Sequence, residues 1–276
     1  MAGPWGIALG GGGVPVVFAA LGFLAALGDL GLSPDVVVGS SSGGLVAGAL
    51  AAGLPLSEQY DRWSAVAADP WALLPREAWH MLEILRPRAT PGLVDVRPVL
   101  RRVLSAAAGD VAGWAPGYGV MVSDLTAGRS VLVHAGSPLR AWATEEALAA
   151  TAGFPGLLAG ARDPEGHLDV DGGLYDLVPV AACRRLGAGA VVAVTIGGPA
   201  AVPAALTVAD VLRLAVRRGL QATDAAANAP AADLKVAVES TGAVLEFSHW
   251  RADHAAGAAA AAHAAAAIRA VAAGVP

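Results

Sequence analysis

Asp35-Val36-Val37-Val38-Gly39-Ser40-Ser41-Ser42-Gly43-Gly44 decides how this chain is read. Three consecutive valines predict a buried strand, the strand stops at Gly39, and the Ala/Leu/Gly stretch over 43–53 resumes as a helix. Ser41 falls at the centre of a G-x-S-x-G pattern between the two. That is the setting a nucleophile elbow needs: the turn leaves no room for side chains at its flanking positions and presents the serine hydroxyl at the carboxyl edge of the sheet. The first N–H groups of the following helix point to the same place, which makes the Ser42 N–H a candidate oxyanion donor and Ser41 a candidate nucleophile. In a chain with 35 glycines among 276 residues, the pentapeptide alone is a weak signal, and its strand-to-helix context carries the reading.

Working toward the N-terminus, the apolar run 5–9 is followed by Gly10, Gly11, Gly12 and Gly13 and then by a long apolar segment ending near Gly31. Two strand–turn–helix units in the first fifty residues predict an α/β fold with a parallel sheet. Consecutive glycines let backbone N–H groups approach an anion without interference from Cβ. A dinucleotide loop fits poorly, since its third glycine would fall on Pro15 or Val16, and the Gly-Lys-Ser/Thr of a phosphate-binding P-loop is missing. With Ser41 as nucleophile, the four glycines become candidate oxyanion donors.

Toward the C-terminus, Leu168-Asp169-Val170 reads as a short strand that ends in Asp171-Gly172-Gly173. A carboxylate at a strand end, followed by two glycines, can come close to another backbone segment. A structural turn aspartate is the alternative reading. Asp169 shares the strand face with Asp171 by alternation and is the competing carboxylate, without the glycines.

Three motifs in this order and spacing resemble the patatin-like phospholipases over most of the chain. Ser41 follows Gly10 by 31 residues, which sets Gly10, Gly11 and Gly12 where that family has its oxyanion glycines. Ser123-Asp124-Leu125, the stretch from Ala149-Ala150-Thr151-Ala152-Gly153 to Phe154-Pro155, and Asp171-Gly172-Gly173-Leu174 continuing to Val178-Pro179 add to the likeness. The resemblance implies a three-layer α/β/α sandwich, a Ser41–Asp171 dyad, an acyl-enzyme, no cofactor and no metal. It also implies a lipid or another hydrophobic ester as substrate, with an acyltransferase using the same acyl-enzyme, or a catalytically weak lipid-binding relative, as the alternatives. One departure is local: the family follows its glycines with a basic residue and another glycine, and this chain has Val14-Pro15. An order Ser41…Asp171…His249 or His254 would also permit a Ser–Asp–His triad.

The remaining features set the surroundings of these motifs. Residues 54–92 hold Trp63, Trp71 and Trp79 among prolines and read as a helical insertion, a lid, acyl-pocket wall or membrane-facing surface, with Arg76, Arg86 and Arg88 placed for anionic headgroups. Packing into the core is the competing use. Asp95 caps an amphipathic helix with Val99, Leu100, Val103 and Leu104 on one face and Arg97, Arg101 and Arg102 on the other. A hairpin spans 118–134, Thr207 starts a helix to about 226, and an Ala-rich helix covers 252–273. The expectation is a single domain of 1–276. A net charge of −5 with Lys235 as the sole lysine argues against nucleic acid as a partner. One cysteine, Cys183, excludes a disulfide framework and suits a reducing compartment. No basic leader precedes the first apolar run, so the expected location is cytoplasmic, and the apolar stretches 14–32 and 255–275 are expected as helices of a soluble protein rather than membrane spans.

Overall fold

A computed structural model of the chain describes residues 3–69, 92, 94–105, 109–196, 231–240 and 246–274. Its first elements follow the glycine punctuation: β1 (Trp5–Leu9), α1 (Val14–Asp29), β2 (Val36–Ser40) and α2 (Ser42–Ala51). They continue through α3 (Leu56–Ala68), α4 (Arg97–Leu104), β3 (Tyr118–Asp124), β4 (Arg129–Val133), α5 (Thr144–Thr151), β5 (Ala161–Arg162) and β6 (Leu168–Asp171). The last are α6 (Val180–Arg185), β7 (Ala190–Ile196), β8 (Leu234–Val238) and α7 (Trp250–Ala272). The expected helix from Thr207, together with Trp71, Trp79, Arg76, Arg86 and Arg88, lies outside the described residues.

The strands form one mixed sheet in the order β5-β6-β3-β2-β1-β7-β8, with β4 paired to β3. β3–β2–β1–β7–β8 is parallel throughout, while β4 and β6 run antiparallel to β3. Alternation along the strands feeds two cores: Ile7, Leu9 and Val37 face α1, α2 and α7, and Ala8, Val36 and Val38 pack with Val180 and Cys183 of α6 on the other side. Burial on both faces is why these strands read as unbroken apolar runs in the sequence. Cys183 is buried there with a free thiol.

Registers along β3 place the site. Met121 pairs with Ser40 of β2 on one edge and with Leu132 of β4 on the other, and Val122 pairs with Asp171 of β6 and Val131 of β4. Because β4 occupies one edge from Val120 to Asp124, β2 and β6 share the opposite edge, one beginning where the other stops. The carboxyl ends of two strands distant in sequence therefore meet.

α7 docks on α1 through small residues. A Cβ added at Gly22 would overlap the His254 carbonyl, and one added at Gly257 would overlap the Ala19 carbonyl. Its 23 residues are long and apolar enough to cross a membrane by length and composition. Here Gly257, Ala261, Ala265 and Ile268 are buried.

Arg97, expected on the face of α4 opposite its apolar residues, is buried: its guanidinium pairs with Glu146 at 2.7 Å and Asp95 at 2.9 Å and donates to the Gly160 carbonyl at 2.9 Å. The hydrogen bonds to Glu146 come first among the causes that hold it charged, and they offset the cost of burying a cation.

Candidate active site

Ser41 links β2 to α2 with φ 54° and ψ −126°, a left-handed backbone that costs a non-glycine residue on the order of 1–3 kcal/mol. Its neighbours enforce it. Added Cβ atoms at Gly39 and Gly43 would run into the Gly43 carbonyl and the Gly10 carbonyl respectively, and one at Gly44 would meet the Thr151 hydroxyl. The two flanking glycines of the motif are thus required by backbone closeness, and the turn pushes the serine side chain outward.

The Ser41 hydroxyl donates to Asp171 Oδ2 at 2.7 Å. Asp171 is held in turn: its Oδ1 accepts the Gly173 N–H at 2.8 Å, its own N–H donates to the Gly153 carbonyl at 3.1 Å, and the Ser123 hydroxyl donates to the Gly172 carbonyl at 3.3 Å. Gly172 is needed because a Cβ there would strike the Met121 carbonyl, while one at Gly173 would press on the Leu177 side chain. Burial pushes the Asp171 carboxyl up to about 6, with the hydrogen bonds from Ser41 and Gly173 pulling the other way.

Asp169 does not reach the serine. It pairs across β3 with Asp124, is fully buried, and among the described residues neither carboxylate oxygen has a hydrogen-bond partner. Burial, then the charges of Asp163 and Asp124, raises its carboxyl to about 7.

The glycine loop is more differentiated than its sequence. The Gly10 N–H extends the sheet by donating to Val194 at 2.9 Å, the Gly13 N–H donates to Ser42 Oγ at 2.8 Å, and the Gly11 N–H makes a long 3.3 Å bond to the Leu177 carbonyl. Among the described residues the N–H groups of Gly12 and Ser42 have no partner. Of the five expected donors, Gly10 and Gly13 are engaged structurally, and Gly12 and Ser42 are the free ones. Gly11 lies directly against the serine: a Cβ there would sit 2.6 Å from Ser41 Cβ. Val14-Pro15 falls in the first turn of α1, where a helix has no use for the proline's missing N–H.

Sequence reading counted Thr151 in the family likeness and gave it no role. Its buried hydroxyl accepts the Ser41 N–H at 3.2 Å and donates to the Met121 carbonyl at 2.6 Å, tying α5, β3 and the elbow together. Its sequence signal was its place in that stretch, at the end of an Ala-rich helix. The histidines of the alternative triad are elsewhere: His249 pairs with Glu246 at 3.2 Å, and the His254 ring packs on Tyr60 at 4.5 Å. Trp63 is in the core.

A sequence profile described as patatin-like phospholipase matches residues 7–184. NTE family proteins of Mycobacterium bovis and of two Mycobacterium tuberculosis strains, all titled uncharacterized, are 30% identical over 200 residues, covering 72% of this chain and 50% of theirs. The chain thus spans about half the length of the curated relatives it matches. VipD from Legionella pneumophila shares the fold, with a TM-score of 0.52 at 12% identity over 94% of this chain and 66% of that one.

Proposed function

We propose that this chain, which belongs to the patatin-like phospholipase family, is a serine acyl hydrolase that cleaves the ester bond of a lipid or another hydrophobic acyl ester. The observation that carries the reading is the 2.7 Å hydrogen bond from the Ser41 hydroxyl to Asp171 at a strained elbow. Asp171 takes the hydroxyl proton as Ser41 Oγ attacks the acyl carbonyl, then returns it to the departing alcohol. Water attacks the acyl-enzyme with its proton going to Asp171, and the proton passes back to Ser41 as the acid leaves.

A carboxylate is a weak base for a hydroxyl, so stabilisation of the tetrahedral oxyanion carries much of the rate. The free N–H groups of Gly12 and Ser42 are the proposed donors. Each such donor is typically worth about 2.7–4 kcal/mol. The Ser42 hydroxyl holds the Gly13 N–H, so the nucleophile turn fixes the glycine loop directly.

The test is a long-chain alkyl fluorophosphonate, read by intact mass and peptide mapping. Stoichiometric labelling of Ser41, absent in Ser41→Ala, is the expected result. An unlabelled chain, under conditions that label a control serine hydrolase, overturns the reading.

A further inference from the structure

One side chain with no part in the proton transfers stands beside both members of the dyad. A Cβ added at Gly11 would lie 3.0 Å from Leu177 Cδ1, and one added at Gly173 would lie 2.9 Å from the same atom. The first position is also 2.6 Å from Ser41 Cβ, and the second is 3.0 Å from Asp171 Oδ1. The space these two glycines leave, between the glycine loop and the strand end that carries the base, is taken by a single leucine methyl.

Leu177 is anchored there by its backbone. Its carbonyl accepts the Gly11 N–H at 3.3 Å, and the next residue, Val178, belongs to the core on the α6 side of the sheet. Leu177 packs against that core and keeps part of its surface open to solvent. On the same segment Leu174 is half-buried and Tyr175 is 42% exposed. A fixed backbone carrying an apolar, partly open side chain is what a size-selecting pocket wall requires.

The chemistry decides which part of an ester meets this wall. Asp171 Oδ2 accepts from Ser41 and must next come within hydrogen-bond reach of the departing ester oxygen. The first carbons of the alcohol are bonded to that oxygen, so they pass on the Asp171 side of the serine, against Leu177. The carbonyl oxygen turns to the N–H groups of Gly12 and Ser42, which leaves the acyl chain the remaining direction. Residues 10–17 and 171–180 contain no lysine, arginine or histidine. A phosphate on the alcohol would find no cation in either segment and would sit beside the Asp171 carboxyl, at the cost of burying unpaired charge.

We propose that Leu177 is the specificity-determining residue for the alcohol part of the substrate, admitting an uncharged, unbranched alcohol and selecting neutral esters over phosphate-bearing ones. The inference rests on the acyl-hydrolase reading and adds to it the side of the ester that is selected.

The test is kcat/KM for pairs of soluble esters, on the parent and on Leu177→Ala. The alcohol pair is cyclohexyl and ethyl butyrate, the acyl pair ethyl octanoate and ethyl butyrate, and the charge pair 1-butyrylglycerol and its 3-phosphate. In Leu177→Ala the cyclohexyl-to-ethyl ratio should rise by about tenfold or more, as for other changes in a hydrophobic pocket, with the acyl ratio held within about threefold. The parent should favour butyrylglycerol over its phosphate by about tenfold or more. An unmoved alcohol ratio, an acyl ratio that moves as far, a parent that prefers the phosphate, or a labelled parent that turns over none of the neutral esters overturns the proposal. Circular dichroism establishes folding, and if Leu177→Ala fails to fold, Leu177→Val decides by the same ratios. Fluorophosphonate labelling separates the two failures. With Ser41 labelled, these outcomes count against Leu177 alone, whereas a parent that is neither labelled nor active on any ester fails as a hydrolase.

Discussion

Ser40 and Asp171 stand opposite consecutive residues of β3, Met121 and Val122, on the same edge of that strand. The Ser41–Asp171 hydrogen bond is therefore a product of sheet register as much as of side-chain choice. If Asp171 is the base, Asp171→Asn keeps a hydrogen-bonding group of the same size and loses proton acceptance. Its kcat should fall by about 10²–10⁴-fold, with thermal stability equal to or above that of the parent. Activity within tenfold of the parent would remove Asp171 from the chemistry.

The raised Asp171 carboxyl, at about 6, sets a pH limb. If Asp171 is the base it works ionised, so kcat/KM should fall as pH drops through about 6. Stability runs the opposite way. The folded chain binds this proton more tightly than the unfolded chain, so the group's contribution is full below about 4 and is lost as pH rises through about 6. A chevron or thermal series on the parent and Asp171→Asn, compared across that window, reads the difference.

Thr151→Val preserves shape and removes the acceptor of the Ser41 N–H and the donor to Met121. Two buried groups are left unpaired, at about 1–3 kcal/mol each, and the elbow loses its tether. The expected outcome is a lower melting temperature and a kcat reduced by about tenfold or more with KM little changed, and Thr151→Ser should restore most of both. Equal kcat in Thr151→Val would make the threonine purely structural.

Ser42→Ala frees the Gly13 N–H and releases the glycine loop from the elbow. Fluorophosphonate labelling of Ser41 should slow by up to the 10²–10³-fold typical of losing an oxyanion donor, while the Ser41–Asp171 pair is untouched. A labelling rate equal to the parent's would show that the loop holds its shape without that bond.

Much of the site was written locally. Gly39, Ser41 and Gly43 fall within five residues, and the crowding that demands the glycines comes from their own turn and from the neighbouring strand. Asp171 was legible for the same reason, through Gly172 and Gly173. What sequence could not convey depends on partners distant in the chain. The choice among the four loop glycines is made by Val194, Leu177 and Ser42, and Thr151 matters because α5 sets it under the elbow, 110 residues away. The burial of Arg97 was not legible because the helical period of α4 records only where its side chains point. It says nothing of Glu146, which arrives from α5 to make burial of a cation tolerable.

The glycine contacts between α1 and α7 bear on how the molecule can be cut. α1 begins directly after Gly13, so the final helix works as a splint on the helix that the glycine loop runs into. The stretch matched by the family profile ends at residue 184, well before Trp250. A fragment trimmed to that boundary would keep Ser41 and Asp171 and discard the splint, and Phe18 of α1 would lose its contact with the Trp250 ring.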